Sequence, residues 1–166
     1  MNERFLNAFL IFILSGVLLS AFGVQIFENE EPCPLCFLQR LGMLGVAAGA
    51  LLNIRFGVSN FHYGVCFLSI LFGGFTALRQ ISLHICPGFP TFGIPVLGLS
   101  LYTWSFLVFV CAFIYITLCM MFFDETTRTK PENLSWWGVL AFSLVLFIAL
   151  GNILTAFIEC GLGPCV

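Results

Sequence analysis

The stretch NAFLIFILSGVLLSAFGVQIF, residues 7–27, contains no charged residue and is apolar almost throughout. A helix of about 20 apolar residues is long enough to cross the hydrocarbon core of a bilayer. We therefore predict a first transmembrane helix here. A cleaved signal peptide is the alternative, but the apolar run is too long, Arg4 is the one basic residue before it, and further apolar stretches follow.

Four further stretches have the length and composition of transmembrane helices, at about residues 37–54, 61–85, 99–123 and 134–158. Residues 87–98, before the fourth helix proper, carry three Pro and three Gly, which predicts a loop at the membrane surface. We expect an all-α, polytopic membrane helical bundle that forms one integral membrane domain over residues 1–166.

The composition excludes several other classes of protein. Of the 166 residues, 60% are hydrophobic and 8% are charged, and the mean hydropathy is +1.08. Soluble domains carry about 25% charged residues. Six Lys and Arg residues are too few to neutralise a row of phosphates, so we expect no nucleic-acid partner. The lipid bilayer is the environment that this composition requires.

The basic residues predict the orientation of the helices. If five spans alternate, four of the six basic residues fall on one side: Arg4, Arg55, Arg128 and Lys130. That side is then cytoplasmic, because loops rich in Lys and Arg stay inside. The N-terminus is expected in the cytoplasm and the C-terminus outside. Arg40 and Arg79 lie within helices near the outer face.

This topology, drawn without reference to cysteine, sorts the eight cysteines into two groups. Three fall inside spans and are interpreted as small hydrophobic residues: Cys66, Cys111 and Cys119. Five fall at the outer face: Cys33, Cys36, Cys86, Cys160 and Cys165. Disulfides persist in oxidising compartments such as the periplasm, so this second group predicts disulfide chemistry there. Bonds that only staple the loops are the structural alternative.

The segment Glu31-Pro32-Cys33-Pro34-Leu35-Cys36 contains a C-x-x-C motif. A disulfide between its two sulfurs closes a very small ring, and such a bond can exchange with another thiol pair. Cys36 opens the second span, where free N–H groups favour the thiolate, and Arg40 follows on the same helix face. Thiolate is the form that attacks a disulfide. No second pair completes a tetrahedral zinc set nearby, so we expect no metal.

Arg40 and His84 are the candidate ligand-binding residues. Placing a charged side chain inside a membrane helix costs free energy, so such a residue is a candidate functional residue. Arg40 is therefore expected to face a polar, membrane-soluble ligand beside Cys36. The alternative is that its side chain extends to the lipid headgroups. His84 lies at the same predicted depth and could hydrogen-bond a carbonyl oxygen or move a proton, although a structural role is equally open.

Two motifs resemble one family. Residues 31–40, EPCPLCFLQR, resemble the signature of the bacterial disulfide bond formation protein B (DsbB) family, including Arg40. Residues 79–84, RQISLH, resemble the end of that family's third helix, including its His. The resemblance spans roughly residues 7–123.

The resemblance implies a bacterial inner-membrane enzyme with a four-helix DsbB-like core, here with a fifth transmembrane helix. It would reoxidise a periplasmic thioredoxin-like dithiol oxidase of the DsbA type and pass electrons to ubiquinone or menaquinone in the membrane quinone pool. By position in the motif, Cys33 and Cys36 would be the quinone-linked pair. Arg40 would contact the quinone, and His84 would lie near it.

The sequence departs from the family pattern after the third span. Members with four spans carry a second cysteine pair in the loop before the fourth span, where this chain has only Cys86. An odd number of spans returns the tail to the outer face, so Cys160 and Cys165 are the expected partner-facing pair. Cys86 could instead bond one of them, and that choice stays open.

Three alternatives also remain. A protein resembling the vitamin K epoxide reductase family would combine a C-x-x-C motif, a helical bundle and a quinone, but its quinone-side motif comes late in the bundle. Electrons could flow in the opposite direction, which depends on redox potentials. A non-enzymatic membrane scaffold held by disulfides would have bonds that resist mild dithiols.

Overall fold

The computed structural model describes residues 3–28, 33–85, 95–122 and 135–161. They form five helices, each long and apolar enough to cross a membrane: α1 (Glu3–Glu28), α2 (Pro34–Phe56), α3 (Asn60–Ile85), α4 (Leu101–Met121) and α5 (Trp136–Cys160). The predicted all-helical bundle is confirmed. Within the described ranges no strand occurs, and the one β-type pairing is an isolated bridge between Val96 and Leu99.

The helix ends differ from the predicted spans by a few residues, for local reasons. Helix α2 begins at Pro34, because the fixed φ of Pro suits the first helical position and its missing N–H is not needed there. Helix α4 begins at Leu101, because a tight turn precedes it. In that turn Leu97 and Gly98 have φ values of 53° and 80°, which a helix does not allow.

Helix α2 is the centre of the bundle. It packs against α1, α3 and α5, whereas α4 packs mainly against α3. In the most apolar 18-residue segment of each helix, 61% of the residues of α2 are buried, compared with 17% in α4 and 22% in α5. The two outer helices therefore present most of their surface to lipid, and residues on α2 have neighbours on several sides.

Glycines allow α2 and α3 to approach closely. A Cβ atom added at Gly45 would collide with the side chain of Ser69, and one added at Gly49 would collide with the Sγ atom of Cys66. The G-x-x-x-G pattern of α2 therefore marks a helix contact, as small residues commonly do in membranes. Cys66 is fully buried there and packs as a core residue.

A polar network ties the helices together at the end where α2 finishes. The Asn53 Nδ2 donates to the Asn7 Oδ1 at 3.0 Å, and the Ser59 backbone N–H donates to the Asn53 Oδ1 at 3.2 Å. The Tyr115 hydroxyl donates to the backbone oxygen of Leu6 at 2.9 Å, which joins α4 to the start of α1. These bonds lie at the opposite end of α2 from the C-x-x-C motif.

Candidate redox site

The C-x-x-C motif forms the first turn of α2. Cys33 is the N-cap residue, and its backbone oxygen accepts a hydrogen bond from the Cys36 N–H at 2.9 Å. This turn brings the two Sγ atoms within 2.8 Å of each other. Both side chains are partly buried. The local turn therefore brings the two sulfurs together.

The S–H···S contact determines where a shared proton lies. Its hydrogen bond to Cys36 is the largest influence that raises the pKa of the Cys33 thiol, and burial raises that pKa further. A thiol with a raised pKa keeps its proton. In the singly ionised pair, the proton is therefore on Cys33.

Gln80 of α3 lies directly against the sulfur pair, and sequence reasoning missed it. Its Nε2 donates to the Cys33 Sγ at 3.2 Å and to the Cys36 Sγ at 3.7 Å. Its Oε1 is 4.0 Å from the Cys36 Sγ. The side chain is only 1% exposed. An amide inside a membrane helix is the signal that could have identified it, because a buried amide requires hydrogen-bond partners.

Gln39 of α2 binds the carbonyl oxygen of the Gln80 amide. Its Nε2 donates to the Gln80 Oε1 at 2.6 Å, and its side chain is 5% exposed. The two glutamines therefore form a buried hydrogen-bonded chain that ends at the sulfurs. Because Gln39 lies three residues after Cys36 on the same helix, its side chain faces α3 as the sulfurs do.

Arg40 is buried between α2 and α1. Its Nη1 donates to the Gln25 Oε1 at 2.8 Å and its Nη2 to the backbone oxygen of Ala21 at 3.3 Å. The guanidinium carbon lies 4.5 Å from the centroid of the Phe22 ring, a cation–π contact. The Arg40 side chain is 8% exposed. Its predicted contact with a ligand stays a prediction.

His84 lies at the same end of the bundle, one turn after Gln80. Its Nδ1 is 2.8 Å from the Gln80 backbone oxygen, so Nδ1 carries the proton in that contact. Its ring stacks on Tyr102 of α4, with the centroids 5.0 Å apart. His84 therefore contacts the backbone of Gln80 within α3 and the Tyr102 ring of α4. Its predicted role near a ligand stays a prediction.

The predicted partner-facing pair is Cys160 and Cys165, with Cys86 as the open alternative. Cys165 and Cys86 lie outside the described residues, and so does the side chain of Cys160. The backbone of α5 ends at Cys160. Gly151, earlier on α5, lies near Phe22, since an added Cβ would be 3.8 Å from the ring. The C-terminal part of α5 therefore lies beside the same end of α1 that binds Arg40.

Exposed apolar side chains lie on α2 and α3 near this end of the bundle. Leu38 and Leu41 on α2 are 37% and 53% exposed, and Leu83 and Ile85 on α3 are 48% and 73% exposed. These side chains belong to the turns of α2 and α3 that lie next in sequence to the partly buried sulfurs and the buried amides. The site therefore has buried polar groups and exposed apolar side chains nearby, at the start of α2 and the end of α3.

Comparison with known proteins identifies one family. A family model described as "Disulfide bond formation protein DsbB" matches residues 3–91. A disulfide bond formation protein B from Pseudomonas syringae pv. tomato is 34% identical over 164 residues, covering 78% of this chain and 94% of that protein.

Two further relatives carry related names. A disulfide bond formation protein B from Marinobacter nauticus and a disulfide bond formation protein B 1 from Burkholderia lata are 32% and 34% identical over 91 and 94 residues. These matches cover 52% and 53% of this chain and 54% of each relative. No solved structure matches the chain. The resemblance inferred from the two motifs is confirmed, and the chain belongs to the DsbB family of disulfide bond formation proteins.

Proposed function

We propose that this protein is a thiol:quinone oxidoreductase of the bacterial inner membrane. It reoxidises a DsbA-like periplasmic dithiol oxidase and passes the electrons to ubiquinone or menaquinone, and so supports disulfide formation. The observation that carries the proposal is the pair of sulfurs, 2.8 Å apart, at the start of a membrane helix in a member of this family. The relatives' names agree with it.

The first steps are thiol–disulfide exchanges. A thiolate of the reduced partner attacks the disulfide between Cys160 and Cys165, and a mixed disulfide forms. The partner's second thiol displaces this bond, so the partner leaves oxidised and Cys160 and Cys165 become thiols. One of these then attacks the Cys33–Cys36 disulfide in the same way. Two electrons move at each exchange, and no atom other than hydrogen is transferred.

Reduction of the inner pair creates a thiolate that this site can stabilise. The proton stays on Cys33, since the contact to Cys36 raises the Cys33 pKa. The negative charge then lies on Cys36, at the N-terminus of α2, where the helix dipole favours an anion. Arg40, one turn further along α2, adds a positive charge. Cys36 is therefore the nucleophilic sulfur of the reduced pair.

The residues around Cys36 fit a quinone. A bound quinone would supply an acceptor for two electrons and two protons. Arg40 would hold it by donating a hydrogen bond to a carbonyl oxygen, and the rings of Phe22 and Phe37 line the guanidinium. The exposed leucines of α2 would pack against the long apolar tail of such a quinone. His84 would lie beside it as a proton donor or acceptor.

The deciding experiment follows quinone reduction by the purified full-length protein in lipid nanodiscs. A reduced thioredoxin-like dithiol oxidase is the electron donor, and loss of quinone absorbance is recorded. We expect turnover by the wild type and none by Cys33→Ala or Cys36→Ala. Cys111→Ala is the matched control, because Cys111 lies exposed within α4, and it should retain the wild-type rate. Full activity of either motif variant would refute the assignment.

A further inference from the structure

We propose that Gln80 is a further catalytic residue of the Cys33–Cys36 pair, and that Gln39 is the residue that positions it. The side-chain N–H of Gln80 stabilises the negative charge of the reduced pair. Gln39 keeps the Gln80 amide turned so that its N–H, and not its carbonyl, faces the sulfurs. This inference rests on the proposed thiol chemistry and is independent of the partner and of the quinone.

The Gln80 amide bridges both reacting atoms. Its Nε2 lies 3.2 Å from the Cys33 Sγ and 3.7 Å from the Cys36 Sγ. An amide nitrogen carries two hydrogens, so it can donate to both sulfurs. Hydrogen bonds to a charged acceptor are stronger than those to a neutral one. The contact therefore stabilises the anionic pair more than the disulfide or the neutral dithiol.

The orientation of that amide is fixed by Gln39. The Gln39 Nε2 can only donate, and it donates to the Gln80 Oε1 at 2.6 Å. If the Gln80 amide were turned over, two N–H₂ groups would face each other and its carbonyl oxygen would face the sulfurs. The contact between the two N–H₂ groups would be repulsive, and so would the contact of the carbonyl oxygen with a sulfur that carries negative charge. With the Gln39 Nε2 facing Gln80, the orientation that satisfies this bond is the one that directs the Gln80 N–H toward the sulfurs.

Burial makes this arrangement effective. Gln80 and Gln39 are 1% and 5% exposed, so water does not compete for their polar atoms. A hydrogen bond is electrostatically stronger in such surroundings than in water. Gln80 also differs from Arg40, because it is uncharged and touches the sulfurs directly. It can stabilise the anion without adding a second buried charge.

This stabilisation has a consequence for the redox balance. Reduction of the Cys33–Cys36 disulfide adds two electrons and two protons, and the reduced pair then releases one proton to form the anion. A donor that stabilises the anion favours the reduced pair. Removal of the donor shifts the equilibrium toward the disulfide, so the reduction potential of the pair falls.

The test equilibrates the full-length protein, without partner or quinone, in a series of glutathione redox buffers. The oxidised fraction of Cys33 and Cys36 is then read by differential alkylation and mass spectrometry of the peptide that carries them. For Gln80→Leu we expect an equilibrium shift of about tenfold toward the disulfide, the size of one lost charge-assisted hydrogen bond. This corresponds to about 30 mV for a two-electron couple.

The matched control is Thr76→Val, one turn before Gln80. Thr76 is also buried, but its hydroxyl bonds the backbone oxygen of Gly73 and not a sulfur. In Thr76→Val, the equilibrium constant between the disulfide and dithiol forms of Cys33 and Cys36 should stay within twofold of the wild-type value. If this equilibrium constant also stays within twofold of the wild-type value in Gln80→Leu, the role of Gln80 is overturned, whatever the quinone assay shows. Loss of quinone turnover with an unshifted couple would count against this inference alone.

Gln39→Glu tests the positioning role and keeps the size of the side chain. A carboxylate accepts hydrogen bonds, so it would attract the Gln80 N–H₂ and turn the Gln80 carbonyl toward the sulfurs. We expect a shift toward the disulfide at least as large as that of Gln80→Leu. Gln80→Glu, which places an acceptor at the sulfurs directly, should shift the couple in the same direction. An unchanged couple in Gln39→Glu would overturn the role of Gln39.

Discussion

Arg40 shows how a single charge is accommodated inside a membrane bundle. Its guanidinium bonds Gln25 and Ala21 of α1 and lies over the ring of Phe22. A buried cation is tolerated when several acceptors and an aromatic face surround it. The side chain therefore joins α1 to α2 and also keeps a positive charge one turn from Cys36.

We expect Arg40→Ala to weaken use of the quinone more than exchange with the thiol partner. Loss of one hydrogen bond from a charged group raises the quinone KM by roughly tenfold or more. Arg40→Lys should recover only part of this loss, because an ammonium cannot bond both acceptors in the same geometry. Steady-state rates at varied quinone concentration measure the effect. An unchanged KM would leave Arg40 with its structural role only.

Cys33 is predicted to become more reactive when Cys36 is removed. The hydrogen bond to Cys36 is the main reason for the raised pKa of Cys33, so Cys36→Ala lowers that pKa toward its ordinary value. More thiolate is then present at pH 8, and alkylation of Cys33 should be faster than in the reduced wild type. Mass spectrometry of the labelled peptide measures this rate. A slower reaction in the variant would contradict the proton assignment.

At the scale of the elements, the contact between α2 and α3 positions the site. It brings Gln80 to the sulfurs, and it depends on glycine. A side chain added at Gly49 would meet the backbone oxygen of His62 at 3.0 Å as well as the Sγ atom of Cys66. The backbone of α3 cannot yield without moving the whole helix. The same contact therefore determines both stability and the position of Gln80.

We expect Gly49→Val to lower the free energy of unfolding by about 1–3 kcal/mol, because extra methyl groups overpack the helix contact. It should also shift the Cys33–Cys36 couple toward the disulfide, since α3 carries Gln80 away from the sulfurs. Gly64→Ala is the control, because no atom lies within 4 Å of an added Cβ there. Unfolding in mixed detergent micelles measures the stability. Equal stability of the two variants would contradict the close contact.

At the scale of the whole molecule, one end of the bundle collects the groups that carry the proposed chemistry. Cys33 and Cys36 begin α2, His84 lies at the end of α3, and the end of α1 binds Arg40. Helix α5 packs against α1 and α2 and ends at Cys160. The last turns of α5 thus lie at the end of the bundle where the sulfur pair lies.

We expect Cys160→Ser to leave the inner pair reducible by small dithiols and to stop electron transfer from the protein partner. Cys165→Ser should behave in the same way, because either change removes the proposed outer disulfide. Parallel assays with dithiothreitol and with the reduced partner measure the two routes. Normal transfer from the partner in both variants would direct attention to Cys86 or to direct attack on Cys33.

The sequence by itself determined the features that depend on neighbours along the chain. Apolar runs determined the five helices, since length and hydropathy are sufficient for a span. The C-x-x-C spacing and the position of Arg40 follow from helical periodicity, which places residues three and four apart on one face. Sequence reasoning therefore identified the sulfur pair and the nearby cation.

Only the tertiary structure decided what these residues touch. Gln80 lies 47 and 44 residues from the two cysteines whose sulfurs it contacts, and Gln25 lies 15 residues before Arg40. In a bilayer both the lipid and the helix contacts are apolar, so hydropathy does not show how far each helix is rotated about its axis. That rotation, set by close packing of α2 against α3, makes Gln80 a partner of the sulfur pair and Gln39 a partner of Gln80.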